Sequence, residues 1–189
     1  LGASIGMFTQ RNLTEQEKLG LMLDQALILR GFKDSLAGKS AIEKEEIQAL
    51  MMNLEQTMKA KQQEAATKAA EENIAQGQKF LEENAKIEGV QVTESGIQYL
   101  VITEGEGEKP AATDRVKVHY KGMFLNGDEF DSSYSRNQPA VFGLNQVIRG
   151  WTEGVQLMSV GSKYKFVIPS ELAYGPNGNP PRIPGNSVL

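Results

Sequence analysis

Cysteine is absent from this chain of 189 residues, and histidine occurs once, at His119. Without cysteine there is no disulfide, no thiolate nucleophile and no zinc site of the cysteine type. The same absence fits a reducing or an oxidising compartment, so it does not locate the protein. The first 109 residues contain no proline, since all seven lie at or after Pro110. No apolar run is long enough to span a bilayer. Excess positive charge is missing too: the net charge is −4, so little is available to neutralise phosphates, which argues against nucleic acid. Divided after Glu88, the chain has 11 basic and 14 acidic residues, then 9 and 10, and neither part hides a basic patch. No secretory signal is visible, but the chain starts at Leu1 rather than Met, which reads as a processed or trimmed N-terminus.

What is present divides into two parts. Hydrophobic residues make up 40% of the chain, enough for a core. The first 88 residues are rich in Ala, Leu, Glu, Lys and Gln, the strong helix formers. From Gly89 onward come 13 of the 19 glycines and 10 of the 13 aromatics. The expected boundary therefore separates a helical region, 1–88, from a β-rich domain, 89–189.

In the first part, Asp24 is an N-cap for a helix carrying Leu27, Ile28, Phe32 and Leu36, ended by Gly38. Ser40-Ala41-Ile42-Glu43 reads as a capping box opening a longer helix with Ile47, Leu50, Met51, Leu54 and Met58 at helical spacing. From Lys59 to Asn73 no large apolar residue occurs. A helix from Ala41 to Lys86 would run roughly 69 Å at about 1.5 Å per residue, so its middle is expected to be a solvated stem. The apolar residues then sit at one end, on helices too short to enclose them. A second copy would cover them, and two-fold pairing is the commonest oligomer. A monomeric three-helix bundle is the other reading. Gly2-Ala3-Ser4-Ile5-Gly6 adds a weak close-packing spacing.

In the second part, Ile97 to Thr103, Val116 to Met123 and Lys163 to Ile168 have the β-branched and aromatic enrichment of strands. Val116, Val118 and Tyr120 alternate with Lys117, His119 and Lys121, one face toward core and one toward water. Gly150 to Met158 places Trp151, Val155 and Met158 on one face of a short helix. Asn126-Gly127-Asp128 and Gly175 to Gly185 are turn-rich. The expected fold class is α+β: an antiparallel sheet wrapped on one short helix, preceded by an all-helical dimerisation region.

Most covalent chemistry falls away on inspection. Gly38-Lys39-Ser40 ends like a phosphate loop, but position 33 is Lys33 and the context is helix–helix. Gly105-Glu106-Gly107 lacks a third glycine and sits among acidic residues. His119 reads as a solvent-facing strand residue, and no Ser–His–Asp relay or histidine metal site can be built from it. Asp128, Glu129 and Asp131 lie together, but a turn with solvated charges accounts for the first two. No cofactor or metal is called for. What remains is a set of aromatics on separate segments: Phe130-Asp131, then Val147-Ile148-Arg149-Gly150-Trp151, then Leu172-Ala173-Tyr174-Gly175. Three segments supplying aromatics and one carboxylate make the lining of an apolar pocket.

That set closely resembles the FKBP-type peptidyl-prolyl cis–trans isomerases, and with the helical region before it the chain is similar to their dimeric Mip/FkpA-like bacterial members. The resemblance is specific in the last hundred residues and looser upstream. It implies Trp151 as the pocket floor, with Tyr120, Phe130, Phe142, Val147 and Ile148 as walls. Tyr174 is then the hydroxyl donor to the substrate backbone, and Asp131 the pocket carboxylate held by Tyr120 and Arg136. The Ile148 N–H becomes a further donor, and Ile183 joins the substrate-binding set. Implied partners are folding chains with X–Pro bonds, a second copy through the N-terminal helices, and macrolide immunosuppressants in the pocket. The segment Leu13 to Gly20 looks more like the periplasmic members than the cytoplasmic ones.

Three departures stand out. Ala140 replaces a second aromatic, lowering one wall; Asn179 stands where some members have histidine; and the chain stops at Leu189, where the family's final strand should begin, which reads as a trimmed sequence. Two functions of different class stay open on the residues: a dimeric isomerase for folding proteins, and a non-catalytic holdase that only binds proline. A mere spacer on a long stem would explain the helix but not the aromatics.

Overall fold

The computed structural model describes all 189 residues, in two compact units, Leu1–Ala66 and Thr67–Leu189. Compactness and composition thus divide the chain at different places, because the stem from Ala70 to Asn84 contacts Gln98 and residues 185–188.

The first unit holds α1 (Gly2–Lys18), α2 (Gln25–Leu36) and the start of α3 (Lys44–Asn84). Asp24 caps α2, its carboxylate accepting from the Ala26 and Leu27 N–H groups at 2.7 and 3.2 Å. Gly38, at φ 67°, turns the chain out of α2 in the left-handed conformation that favours glycine. The expected capping box does not form. Ser40 Oγ accepts from the Ile42 N–H at 3.3 Å and donates to the Ile42 carbonyl at 2.9 Å, so α3 starts at Lys44 instead. Helix α1 had no sequence signal, since it opens on Gly2, Ala3, Ser4 and Gly6 and lacks a side-chain cap. None of residues 1–66 is buried.

In the second unit, β1 (Val90–Val92), β2 (Gln98–Thr103) and β7 (Lys163–Val167) form one antiparallel sheet in that order. Tyr99 opposes Phe166 in this sheet. Two further antiparallel pairs are β3 (Arg115–Val118) with β6 (Ala140–Gly143) and β4 (Lys121–Met123) with β5 (Glu129–Ser132). The stretch expected as one strand, Val116 to Met123, is therefore two. It breaks at His119–Tyr120, where it changes partner from β6 to β5. Helix α4 (Arg149–Gln156) lies on the sheet. Gly154 allows this approach, because a Cβ there would stand 2.9 Å from the Phe166 ring. The core gathers Ile97, Ile168 and Leu172, with Ile148, Trp151, Phe166 and Ala173 packed on it. Leu189 exchanges both backbone hydrogen bonds with Ile168, at 2.7 and 3.1 Å.

The end of α3 belongs to this unit through amides rather than hydrophobes. Asn84, buried, donates to Gln98 Oε1 at 2.7 Å, and Gln98 donates to the Leu81 carbonyl at 2.8 Å. Asn73 donates to the Gly185 carbonyl at 2.9 Å, and Asn186 returns a bond to the Ala70 carbonyl at 3.2 Å. Gly77 is buried against Val188, whose Cγ2 would stand 2.7 Å from a Cβ at this position. No helix is long and apolar enough to cross a membrane.

Candidate active site

Trp151 lies in the first turn of α4, half-buried on the core. Tyr120, from the gap between β3 and β4, meets it edge on with ring centroids 5.1 Å apart and planes at 89°. Phe142, on β6, meets it at 5.1 Å and 63°. Such tilted pairs set the positive edge of one ring on the negative face of another. Phe130, on β5, packs on Phe124 with centroids 5.0 Å apart. Its ring also occupies the space that a Cβ at Gly122 would need.

Asp131 follows Phe130 on β5, opposite Gly122. Its two carboxylate oxygens are both engaged: Tyr120 Oη donates to Oδ2 and Arg136 Nη1 to Oδ1. Oδ1 also accepts from the Ser132 N–H at 2.9 Å. Arg136 closes the triangle by donating to Tyr120 Oη at 2.9 Å, its guanidinium 5.6 Å from the Tyr120 ring centroid. Burial opposes charge on Asp131, but the hydrogen bonds from Tyr120 and Arg136, with the cation of Arg136, outweigh it. The carboxyl is held below its usual range. Burial and the bond to Asp131 push the Tyr120 hydroxyl up.

Tyr120, Asp131, Arg136, Phe142 and Trp151 thus form one connected set. Val147 and Ile148 are half-buried just before α4, and Thr152 Oγ1 ties that turn down by donating to the Leu144 carbonyl. Tyr174 is 36% exposed at the end of the 3₁₀ turn Ser170–Leu172. Ile183 is 3% exposed, and its backbone pairs with Asn179 in the loop that follows Tyr174. His119 is exposed as expected but not idle. Its ring stacks on Tyr134 at 4.8 Å, and Nδ1 is 3.0 Å from Ser133 Oγ. Ser133 is fully buried, which rules it out as a nucleophile. The sequence reading passed over Ser132, Ser133 and Thr152, because a buried serine or threonine carries no periodic signal.

Comparison with known proteins shows the family. Residues 106–189 match the family described as FKBP-type peptidyl-prolyl cis-trans isomerase. Residues 1–101 match the domain amino terminal to FKBP-type peptidyl-prolyl isomerase. The FKBP-type peptidyl-prolyl cis-trans isomerase FkpA of Aeromonas hydrophila is 49% identical over 189 residues, covering 100% of this chain and 70% of that protein. FkpA of Escherichia coli (strain K12) is 43% identical with the same coverage. The crystal structure of FkpA from Escherichia coli superposes with a TM-score of 0.77, covering 99% of this chain and 87% of that one at 43% identity. The chain belongs to the FKBP-type peptidyl-prolyl cis–trans isomerases, in the FkpA/Mip-like subfamily, and is an enzyme of that class.

Proposed function

We propose that the X–Pro bond is twisted over Trp151, with Tyr120, Phe130, Phe142, Val147 and Ile148 as the wall of the pocket. The observation that carries this reading is the triangle of Tyr120, Asp131 and Arg136 built against the Trp151 ring. Rotation about a peptide bond transfers no proton and forms no covalent intermediate. The obstacle is amide resonance, about 18–20 kcal/mol for an ordinary bond. In the twisted state resonance is broken and the carbonyl carries less charge separation. An apolar surface that excludes water therefore favours the twisted form over the planar one, which is differential binding of the transition state. Asp131, with both oxygens occupied, stays a fixed charge beside the carbonyl, and Tyr174, exposed at the rim, donates to the substrate backbone. Replacing Trp151 and measuring peptide isomerisation tests the assignment.

The first unit supports a homodimer. A monomeric three-helix bundle would bury a seam, yet no residue there is buried, and Phe8 and Met22 are 70% and 84% exposed. A second copy covering these faces would yield paired arms that hold unfolded clients near the pockets, a chaperone role beside catalysis. Sedimentation of the intact protein tests this, with a monomer at micromolar concentration as the contrary result. Macrolide immunosuppressants are the expected small-molecule ligands of the pocket, checked by inhibition of peptide turnover. The resemblance of Leu13 to Gly20 favours the periplasm, which osmotic-shock release of the native protein would test.

A further inference from the structure

Two serines, Ser132 and Ser133, are buried as completely as the core residues Ile97 and Leu144, and both follow Asp131 directly. Burying a hydroxyl is unfavourable unless it is hydrogen-bonded, so each needs an account of its partners. Ser132 Oγ accepts from the Tyr134 N–H at 3.1 Å, which shapes the turn toward Arg136. Ser133 is tied to the pocket itself. Its Oγ accepts from the Tyr120 N–H at 2.8 Å and lies 3.2 Å from the Tyr120 carbonyl, while its own N–H donates to that carbonyl at 3.0 Å.

These bonds fall where the strand changes partner. Val118 is the last residue paired with β6 and Lys121 the first paired with β5. Between them Tyr120 faces Ser133 with half a ladder, its carbonyl served by the Ser133 N–H and its own N–H by Ser133 Oγ, and its ring and hydroxyl are what join Trp151 to Asp131. We propose that Ser133 is a positioning residue for isomerisation: its hydroxyl stands in for the backbone acceptor that the Tyr120 N–H lacks and so fixes the angle at which the tyrosine presents its hydroxyl to Asp131. The inference rests on the pocket reading above. Ser133 touches no substrate and acts only through Tyr120.

The chemistry also explains why His119 stands beside it. Ser133 Oγ has a single hydrogen, and the Tyr120 carbonyl is already served by the Ser133 N–H. That hydrogen is free to point at His119 Nδ1 when the nitrogen is bare. It turns to the Tyr120 carbonyl when Nδ1 carries its own proton. In either state the Tyr120 N–H keeps its acceptor.

The test is a double-mutant cycle in the whole protein with a proline peptide, kcat and KM measured separately. Ser133→Ala should lower kcat about fivefold with KM within about twofold, since a misplaced group costs turnover more than binding. In a Tyr120→Phe background the same change should lower kcat by less than about twofold, because the hydroxyl it positions is gone. Ser133→Cys, close in volume and a weaker hydrogen-bonding partner, is the second variant if the alanine protein does not fold. It is expected to give the same non-additive loss. Full additivity with Tyr120→Phe, or an unchanged kcat in a folded Ser133 variant, overturns the proposal. An unchanged kcat in Tyr120→Phe alone overturns the pocket reading beneath it, so the two failures are distinct.

Discussion

Tyr120 bridges two parts of the site, meeting Trp151 edge on at 5.1 Å while its hydroxyl donates to Asp131. Apolar floor and fixed charge are therefore set by one side chain, and the floor can be removed without touching the charge. Trp151→Leu combined with Phe130→Ala should leave a folded sheet, checked by circular dichroism. It should lower kcat/KM for a proline peptide at least about tenfold, or about 1.4 kcal/mol of transition-state stabilisation. A folded double mutant working at the parent rate shows that the pocket lies elsewhere.

The pH dependence follows from two opposite shifts. Against the cost of burial, hydrogen bonds from Tyr120 and Arg136 hold the Asp131 carboxyl below its usual range; burial first, then the bond to Asp131, pushes the Tyr120 hydroxyl up. Both widen the range over which a charged Asp131 faces a neutral Tyr120, so turnover should be flat from about pH 6 to 9. For stability the sign is that of a depressed acid. The contribution is fully present above the unfolded carboxyl value of about 3.9 and is lost as pH falls through the lower folded value. Denaturant titrations of the parent and Asp131→Asn should show a constant gap at neutral pH that closes only in strong acid. A gap closing between pH 6 and 8 contradicts the assignment.

His119→Ala tests whether acid–base chemistry has been overlooked. The imidazole touches Ser133 Oγ, but the Tyr120 N–H keeps its acceptor without it. Peptide turnover is expected to stay within about twofold of the parent, below the 10²-fold scale of a general acid or base. A hundredfold fall would reinstate His119 as a catalyst.

The fold was legible where burial leaves a period in the sequence. Val116, Val118 and Tyr120 alternate with charged or polar neighbours, and Trp151 and Val155 share a helical face, so the sheet and α4 could be read directly. The break between β3 and β4 could not. It comes where the strand changes partner, at a residue bonded to Ser133, and such hydrogen bonds leave no mark on hydropathy. The docking of α3 was hidden for the same reason: Asn73, Gly77 and Asn84 are polar or small, so no apolar stripe marks the amide contacts and close approach that occur there. That Tyr120, Phe142 and Trp151 come together was legible only through family resemblance, because they lie on separate segments, and the burial of Ile183 was not legible because its sequence neighbourhood cannot tell a loop's inner side from its outer one.

Ala140 gives a test of specificity. It is half-buried on β6, opposite Val118 and two residues before Phe142, at the position where the family resemblance implies a second aromatic. Ala140→Phe should raise that wall and sharpen discrimination among residues preceding proline. The spread of kcat/KM across a peptide series should widen by about threefold to tenfold, the scale of added apolar contacts in a pocket. An unchanged spread in a folded variant means that this wall does not meet the substrate.

The last prediction concerns division of labour, and the structure moves the cut at which to test it. A chain beginning at Gly89 would lose the Asn84–Gln98 and Asn73–Gly185 bonds and the close contact of Gly77 with Val188. One beginning at Thr67 keeps them all. The shorter fragment should melt at a lower temperature than the longer, because Gln98 loses both its partners, Asn84 and the Leu81 carbonyl, and Val188 loses its close contact with Gly77. The Thr67 fragment is expected to be monomeric and to isomerise short peptides about as well as the whole protein, since every pocket residue lies beyond the cut. It should be much poorer at speeding the refolding of a proline-limited protein. Two arms holding an unfolded chain raise its effective concentration at the pocket, and that gain disappears with the first unit. The deciding quantity is the ratio of protein-substrate to peptide-substrate efficiency. Equal ratios for fragment and whole protein would leave the helical unit with no part in capturing substrate.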